Sequence, residues 1–219
     1  MVLRSLPPDL QNLVLQQFHK AQTGFCWEEK ALKLAEVVWT FHPRISVEIG
    51  VFGGKSFMPI AAAVTYIDQG RNRHRCYGID VWEIEEASKN YEKNDKDFWS
   101  NQNMLNMTYE QSLKYVEELN SNCVCLIKTT SQDFIKNFKD GEIDFLHIDG
   151  NHSEEESYND IVNWWPKMAK NGILVLDDIG WVSNTGVEFC KERSSIIWEY
   201  FHKPGGSWGS VIFFRKEKD

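Results

Sequence analysis

The chain has 219 residues, and its 24 basic and 32 acidic side chains give a formal net charge of −8. Hydrophobic residues make up 42% of the sequence and charged residues 26%, which is typical of a globular protein and excludes the disordered, collagenous and coiled-coil classes. The net negative charge argues against a nucleic-acid partner, because phosphate neutralisation supplies most of the non-specific affinity for nucleic acids. The length predicts one domain over residues 1–219.

Apolar residues recur at helical spacing from Pro7 to Lys20 and from Trp27 to Phe41, which predicts two N-terminal helices. The second helix is expected to end near His42, because a proline disfavours helical backbone in the residue before it. Residues 1–42 therefore form a predicted N-terminal helical cap. The first eight residues contain one charge and two prolines where a signal peptide needs a continuous apolar stretch, so we expect a cytoplasmic protein.

Short apolar runs alternate with longer amphipathic segments beyond this point, and no run approaches the roughly 18 residues of a membrane-spanning helix. Such runs are typical of strands buried on both faces, and their alternation with helices predicts a doubly wound, mostly parallel α/β sheet with no membrane partner. The predicted strands are Ile45–Ile49, Cys76–Ile79, Cys123–Ile127, Ile143–Ile148 and Ile173–Leu176. The five cysteines are odd in number and contain no Cys-x-x-Cys pair, so they are expected to be reduced.

Two further segments depart from this alternation. Ile196–Phe201 and Ser210–Phe214 are strand candidates on either side of a Pro-Gly-Gly turn at 204–206, which predicts an antiparallel pair. Residues 83–109 are polar but contain the aromatic residues Tyr91, Phe98 and Trp99. This pattern predicts a helical insertion, either a lid over a ligand or a helix packed on the surface.

A glycine-containing segment, Val47–Ser56, lies where the first strand gives way to a helix. Glycines allow a tight turn and a close approach of the backbone to a ligand, and the helix N-terminus offers free N–H groups, so a nucleotide-like cofactor is indicated. The spacing is neither that of Gly-x-Gly-x-x-Gly enzymes nor that of a P-loop. Glu48 fits a cofactor with a positive amino group better than one rich in phosphate; a purely structural turn is the alternative.

Acidic residues follow three other predicted strands. Asp80 ends the second strand region, where an acid in a nucleotide-binding α/β fold accepts hydrogen bonds from ribose hydroxyls, although a helix N-cap is an equal alternative. Asp149 and the pair Asp177-Asp178 are expected to converge at the same sheet edge, and three carboxylates suit Mg²⁺, Mn²⁺ or Ca²⁺. Helix capping is again the alternative. His152 lies three residues after Asp149, where it can act as a general base.

These segments, with Tyr77–Trp82, Ile148–His152, Glu154–Asp160 and Gly172–Trp181, resemble a class I S-adenosylmethionine-dependent methyltransferase. More narrowly, they are similar to the metal-dependent sugar O-methyltransferases of the macrocin and novobiocin group. The resemblance spans roughly residues 24 to 215. It implies a Rossmann-like seven-stranded sheet of order 3-2-1-4-5-7-6 with the last strand antiparallel.

The resemblance also implies roles for individual residues. The cofactor S-adenosylmethionine would contact the glycine loop, the ribose-binding acid, two residues after the third strand and the first metal-binding acid: Glu48, Gly50, Gly54, Ser56, Asp80, Ser131, Gln132 and Asp149. A divalent cation, Mg²⁺ first and Mn²⁺ second, would be held by Asp149, Asp177 and Asp178. His152 would take the proton from the acceptor.

The function implied is methyl transfer to a hydroxyl of a sugar or glycan, by a protein that could form a homo-oligomer. Two alternatives remain open at this point. The same site could serve a catechol-like phenol or another small diol, or the chain could be a non-catalytic scaffold that keeps the fold.

Overall fold

The computed structural model describes residues 3–201 and 209–219. The helices are α1 Pro8–Lys20, α2 Glu28–Phe41, α3 Phe57–Asp68, α4 Ile84–Ala87, α5 Lys93–Trp99, α6 Gln102–Leu119, α7 Ser131–Phe134, α8 Glu154–Trp164 and α9 Asn184–Arg193. The strands are β1 Ile45–Ile49, β2 Arg75–Asp80, β3 Val124–Lys128, β4 Ile143–Ile148, β5 Met168–Leu176, β6 Ser194–Tyr200 and β7 Val211–Lys216. Short 3-10 helices follow α7 and α8 at Ile135–Asn137 and Trp165–Lys167.

The strands form a seven-stranded sheet in the order β3-β2-β1-β4-β5-β7-β6. Neighbouring strands from β3 to β5 are parallel, whereas β7 is antiparallel to both β5 and β6. The predicted fold, strand order and antiparallel last strand are therefore confirmed. The turn predicted at 204–206 lies outside the described residues.

Strand β5 begins five residues before the predicted Ile173, at Met168. Met168 pairs with Ile143 at the start of β4, and the register then shifts before Ile173 pairs with Phe145. The polar residues between these two pairings obscure the strand in the sequence. The irregularity leaves the carboxyl ends of β4 and β5 in register, with Ile148 opposite Leu176.

Helices cover both faces of the sheet. One buried cluster contains apolar side chains of α1, α2 and α3 packed on Phe145, Val175 and Phe213 of the strands. The other joins α8 and α9 to the opposite strand side chains, such as Leu146 and Ile212. The two N-terminal helices therefore pack over α3 on one face, which brings α2 close to the carboxyl edge of the sheet.

The insertion predicted at residues 83–109 contains α4, α5 and the first part of α6. Helix α6 begins after Asn101, whose side chain accepts a hydrogen bond from the Met104 N–H. It continues to Leu119, ten residues past the predicted end of the insertion, and leads into β3. The insertion therefore shares its last helix with the crossover between β2 and β3.

The sequence predicts no membrane-spanning helix and reduced cysteines. Among residues 3–201 and 209–219, no helix is long and apolar enough to cross a membrane. All five cysteines are free thiols, and four of them are buried.

Candidate active site

The carboxyl ends of the parallel strands border a cavity of about 360 Å³. Its wall is formed by the turns after β1, β2, β3 and β4 and by the insertion. Of the residues predicted to bind the cofactor, five line it: Gly50, Asp80, Ser131, Gln132 and Asp149. A space of this size at this edge of an open α/β sheet is the usual place for a small ligand.

Gly50 allows the ends of β1 and β4 to approach each other. Its backbone has a φ of +88°, and its N–H donates to the Ile79 carbonyl over 2.9 Å. A Cβ at this position would lie 1.9 Å from the carbonyl oxygen of Asp149. Only glycine therefore fits between the first turn and the acid that follows β4.

Asp80 fixes the glycine loop from the neighbouring strand. Its carboxylate accepts hydrogen bonds from the N–H groups of Phe52, over 2.8 Å, and Trp82, over 3.2 Å. Burial raises the pKa of Asp80 despite these hydrogen bonds. Asp80 is the last residue of β2 and does not cap α4, which begins after Glu83.

Asp160 on α8 also borders the cavity, and no role was predicted for it. Its Oδ1 accepts hydrogen bonds from Ser131 Oγ, over 2.5 Å, and from Gln132 Nε2, over 3.3 Å. Burial, with a contribution from the charge of Glu156, raises the pKa of Asp160 to about 6. Ser131 and Gln132, the two residues after the third strand that are predicted to contact the cofactor, are thus held in place by one acid of α8.

Three residues predicted to contact the cofactor do not line this cavity. Glu48 is fully buried, accepts a hydrogen bond from Ser56 Oγ over 2.7 Å, and lies 3.1 Å from His147 Nδ1. Ser56 borders a separate, smaller cavity of about 50 Å³. Gly54 turns the loop at a φ of +80°, and its N–H donates to the Val51 carbonyl. In this structure Glu48 therefore stabilises the glycine-containing segment through Ser56 and does not line the larger cavity.

Asp149 stands between the two cavities, next to His152 and Asp178. His152 Nε2 lies 3.6 Å from Asp149 Oδ1 and 3.7 Å from Asp178 Oδ2. One ligand atom from each of the three residues lies within 4.8 Å of the others, a spacing that could hold a metal ion. Within the described residues, His152 Nε2 is buried and makes no hydrogen bond. Helices α8 and α9 are capped by Ser153 and Ser183, so the acids do not cap them.

Asp177 has a different neighbour, the ammonium group of Lys30. The Lys30 side chain is 1% exposed, and its Nζ contacts Asp177 Oδ2 and lies 3.4 Å from Asp149 Oδ2. Burial alone would lower the pKa of Lys30, but Asp149 and the surrounding acids raise it, so the ammonium form is retained. The sequence holds one signal for this residue, because Lys30 falls on the apolar face of α2, four residues before Leu34.

The pKa values of Asp149 and Asp178 are shifted in opposite directions. Burial would raise the pKa of Asp149, but Lys30 and the two nearby histidines lower it to about 2. The pKa of Asp178 is raised, first by burial and then by the charge of Asp149. Asp149 is therefore the more acidic of the two groups.

The insertion is fastened to the loop that carries His152. The His152 N–H donates to Tyr91 Oη over 2.8 Å, and Asn151 Nδ2 donates to the Lys89 carbonyl over 2.8 Å. Lys89 Nζ also forms an ion pair with Glu156 over 3.0 Å. Tyr91 and Lys89 line the larger cavity, so the insertion covers the space above the strand ends.

An aromatic cluster, Phe25, Phe52, Phe98 and Trp99, stands beside the smaller cavity. The rings of Phe25 and Phe52 are stacked with centroids 5.9 Å apart, and Trp99 meets Phe52 edge-on at 5.2 Å. Phe98 contacts Phe25, Phe52 and Trp99. Phe25 and Phe98 are 58% and 43% exposed, so the cluster presents apolar surface at the entrance to the site.

The seven-stranded sheet and the cavity at its strand ends define a Rossmann-like α/β protein with a ligand site at the carboxyl edge of the sheet. Residues 47–179 match the family model described as a methyltransferase domain. The match covers more than half of the chain, which therefore belongs to this methyltransferase family. The predicted methyltransferase class is confirmed.

A curated relative, the uncharacterised protein y4gI of Sinorhizobium fredii, is 23% identical over 201 residues. The match covers 92% of this chain but only 19% of the relative's length.

Solved structures share the fold at low sequence identity. An O-methyltransferase from Bacillus cereus in complex with SAH has a TM-score of 0.60 at 15% identity, with 97% of this chain and 92% of that chain covered. The O-methyltransferase TomG from Streptomyces achromogenes, in complex with SAM, has a TM-score of 0.58 at 15% identity, with 98% and 92% covered. The SAH-bound methyltransferase PaMTH1 from Podospora anserina has a TM-score of 0.62 at 12% identity, with 98% and 90% covered.

Proposed function

We propose that the protein is an S-adenosylmethionine-dependent O-methyltransferase that uses a divalent cation and acts on a hydroxyl of a sugar or glycan. One observation carries the proposal: Asp149, His152 and Asp178 converge at the wall between a cofactor-sized cavity and the smaller cavity. This arrangement gives the cofactor and the acceptor separate places on two sides of the same acid.

The cofactor belongs in the larger cavity. Asp80 suits the ribose hydroxyls, and Ser131 and Gln132, held by Asp160, suit the adenine ring. Gly50 and Asp149 then face the amino-acid portion. The structural neighbours from Bacillus cereus and Streptomyces achromogenes, crystallised with SAH and SAM, support this choice of ligand.

The donor set fits a hard divalent ion. Asp149 Oδ1 and Asp178 Oδ2 point towards the same space, and oxygen ligands are those that Mg²⁺ and Mn²⁺ prefer. When bound, the cation would lower the pKa of an acceptor hydroxyl and help to orient it. The remaining steps depend on the side chains of this chain.

His152 supplies the proton acceptor. Its Nε2 is buried without a hydrogen bond and faces the two carboxylates, whose charges would stabilise the protonated ring. As the acceptor O–H proton passes to His152 Nε2, the oxygen forms a bond to the methyl carbon and the carbon–sulfur bond breaks. The electron pair of that bond stays on sulfur, which leaves as the neutral thioether of S-adenosylhomocysteine.

The exposed aromatic cluster favours a sugar as the acceptor. Exposed aromatic faces beside polar groups suit the C–H face of a sugar, with its hydroxyls directed to Asp149 and Asp178. The same faces can stack on a phenol ring, so a catechol is the alternative acceptor. The third alternative, a binding subunit without turnover, gives no reason for a buried His152 Nε2 that makes no hydrogen bond to the described residues.

The first experiment is a calorimetric titration with S-adenosylmethionine and S-adenosylhomocysteine, with and without Mg²⁺. Micromolar binding supports the cofactor assignment, and its absence under both conditions contradicts the proposal. Methyl transfer is then measured with sugars and catechols as acceptors. Turnover that EDTA removes and Mg²⁺ restores supports cation dependence; turnover with catechols alone overturns the sugar assignment.

The variant His152→Ala distinguishes two roles of this residue, that of general base and that of metal ligand. If His152 is the base, turnover falls by about 10² to 10⁴ while Mn²⁺ and S-adenosylhomocysteine bind as in the wild type. Mn²⁺ binding is measured by calorimetry in the absence of acceptor. Loss of Mn²⁺ binding with turnover would assign His152 to the ion, and unchanged turnover would remove it from the reaction.

A further inference from the structure

Lys30 and Asp177 form a buried ion pair next to the proposed cation site. We propose that Lys30 acts as a permanent counter-ion that withdraws Asp177 from the metal ligands, so that the divalent cation is held by Asp149 and Asp178. The inference rests on the cation of the proposed function. It makes Lys30 a positioning residue, which acts through the acids that it contacts.

Both oxygens of Asp177 are already occupied. Oδ1 accepts a hydrogen bond from the Asp178 N–H over 3.0 Å, and Oδ2 contacts the Lys30 ammonium. Oδ2 also lies 3.6 Å from His147 Nε2. The Asp177 side chain is 3% exposed, so it presents no free oxygen to the smaller cavity.

The free oxygens of the other two acids face elsewhere. Asp149 uses Oδ2 towards Lys30 and keeps Oδ1 on the side of His152. Asp178 accepts a hydrogen bond from the Gly209 N–H with Oδ1 and keeps Oδ2 on that same side. Asp177 also lies at metal-ligand spacing from Asp149 and His147, but the Lys30 ammonium contacts its Oδ2, whereas Asp149 Oδ1 and Asp178 Oδ2 lie near His152.

The charges balance in this arrangement. Three carboxylates and one ammonium leave two negative charges, which one divalent ion neutralises. A fully buried ammonium is costly unless it is paired, and Lys30 is paired with two of these acids. Without Lys30, the site would hold three carboxylates facing one ion.

Four variants test the inference. Lys30→Met removes the charge but keeps a long side chain, and Lys30→Met with Asp177→Asn removes the pair without leaving a buried charge. Asp178→Asn removes a proposed ligand. Lys33→Met is the matched control, because Lys33 lies one turn further along α2 and pairs with Glu36.

The readouts are Mn²⁺ affinity by calorimetry and thermal unfolding with EDTA or Mn²⁺, both without acceptor. We expect Lys30→Met to bind Mn²⁺ about tenfold or more tightly and to need the ion for stability, because a charge within about 4 Å of the acids is gone. The double variant should bind Mn²⁺ within about threefold of the wild type and be stable in EDTA. Asp178→Asn should lose binding, and Lys33→Met should match the wild type.

Two results would overturn the inference: loss of Mn²⁺ binding in the double variant, which would make Asp177 a ligand, or equal Mn²⁺ affinity in Lys30→Met and Lys33→Met. Either can occur while the wild type still binds Mn²⁺ and turns over, so the proposed function would stand. A wild type that binds no Mn²⁺ would contradict the cation of the proposed function, and the inference, which rests on that cation, would fall with it. If Lys30→Met fails to fold, the double variant alone decides whether Asp177 is a ligand.

Discussion

An acid whose pKa is raised by folding makes the protein less stable as the pH rises, and Asp160 is such a group. Burial raises its pKa from 3.8 to about 6, whereas the unfolded chain releases this proton near pH 4. Between these values the native state binds more protons than the unfolded state. The free energy of unfolding therefore falls as the pH rises through this window, and the loss persists above it.

Asp160→Asn should remove this dependence while keeping an oxygen for Ser131 and Gln132. The difference in free energy of unfolding between the variant and the wild type, both without ligand, should be about 1–3 kcal/mol more favourable to the variant at pH 7.5 than at pH 4. Urea unfolding at the two pH values measures the gain. A difference that is the same at both values would contradict the raised pKa.

The residues of the candidate site differ in how well the sequence predicts them. Asp149, His152 and Asp178 follow recognisable strand ends, and a parallel sheet brings such ends to one edge. Lys30 and Asp160 lie on helices, and only the packing of α2 and α8 against the sheet brings them to the site. The sequence placed Glu48 at the correct strand end. The direction of its side chain depends on contacts with Ser56 and His147, and the spacing of apolar residues does not reveal such contacts.

At the scale of elements, the connection between α3 and β2 depends on one carboxylate. Asp68 ends α3 and accepts hydrogen bonds from the N–H groups of Asn72, Arg73 and His74 over 2.7–3.0 Å. Burial would raise the pKa of Asp68, but these donors lower it to about 2. The stabilisation that follows is fully present above about pH 4 and is lost as the pH falls towards 2.

Asp68→Ala should lower the free energy of unfolding at pH 7 by about 2–4 kcal/mol, because three backbone N–H groups lose a charged, buried acceptor. Urea unfolding measures the change. Asp140→Ala is the control, since Asp140 is exposed and its pair with Lys167 should contribute no more than about 1 kcal/mol. Equal effects of the two substitutions would show that the turn does not depend on Asp68.

Elements were predictable where the apolar period is regular. Strands β1 to β4, the two N-terminal helices and the β6–β7 pair agree with the sequence to within a few residues. The start of β5 escaped because polar residues near Lys170 interrupt the apolar run, and the register shift is a property of the pairing with β4. The continuation of α6 past residue 109 escaped because the polar insertion and the crossover helix have no composition boundary between them.

On the scale of the whole molecule, ligand binding should couple to unfolding. The larger cavity contacts the ends of β1, β2, β3 and β4 as well as the insertion, so a bound cofactor would tie these elements together. At a concentration 100 times its Kd, S-adenosylhomocysteine should stabilise the protein by about 2.7 kcal/mol. For a chain of this size, the melting temperature should rise by roughly 5–10 °C.

Differential scanning calorimetry at several ligand concentrations measures this effect. Asp80→Asn, which weakens the proposed ribose contact, should show a smaller rise than the wild type at the same concentration. A melting temperature that does not depend on S-adenosylhomocysteine would contradict the placement of the cofactor in this cavity.

The position of Lys30 bears on how this domain could be transplanted. The family match covers residues 47–179 and includes all three acids, but Lys30 lies upstream of it, on α2. A chimaera built by grafting the matched region onto another scaffold would carry the acids without their ammonium. The smallest portable unit of this site therefore extends back at least to α2, and exchange of the N-terminal helices between homologues would exchange part of the active-site charge.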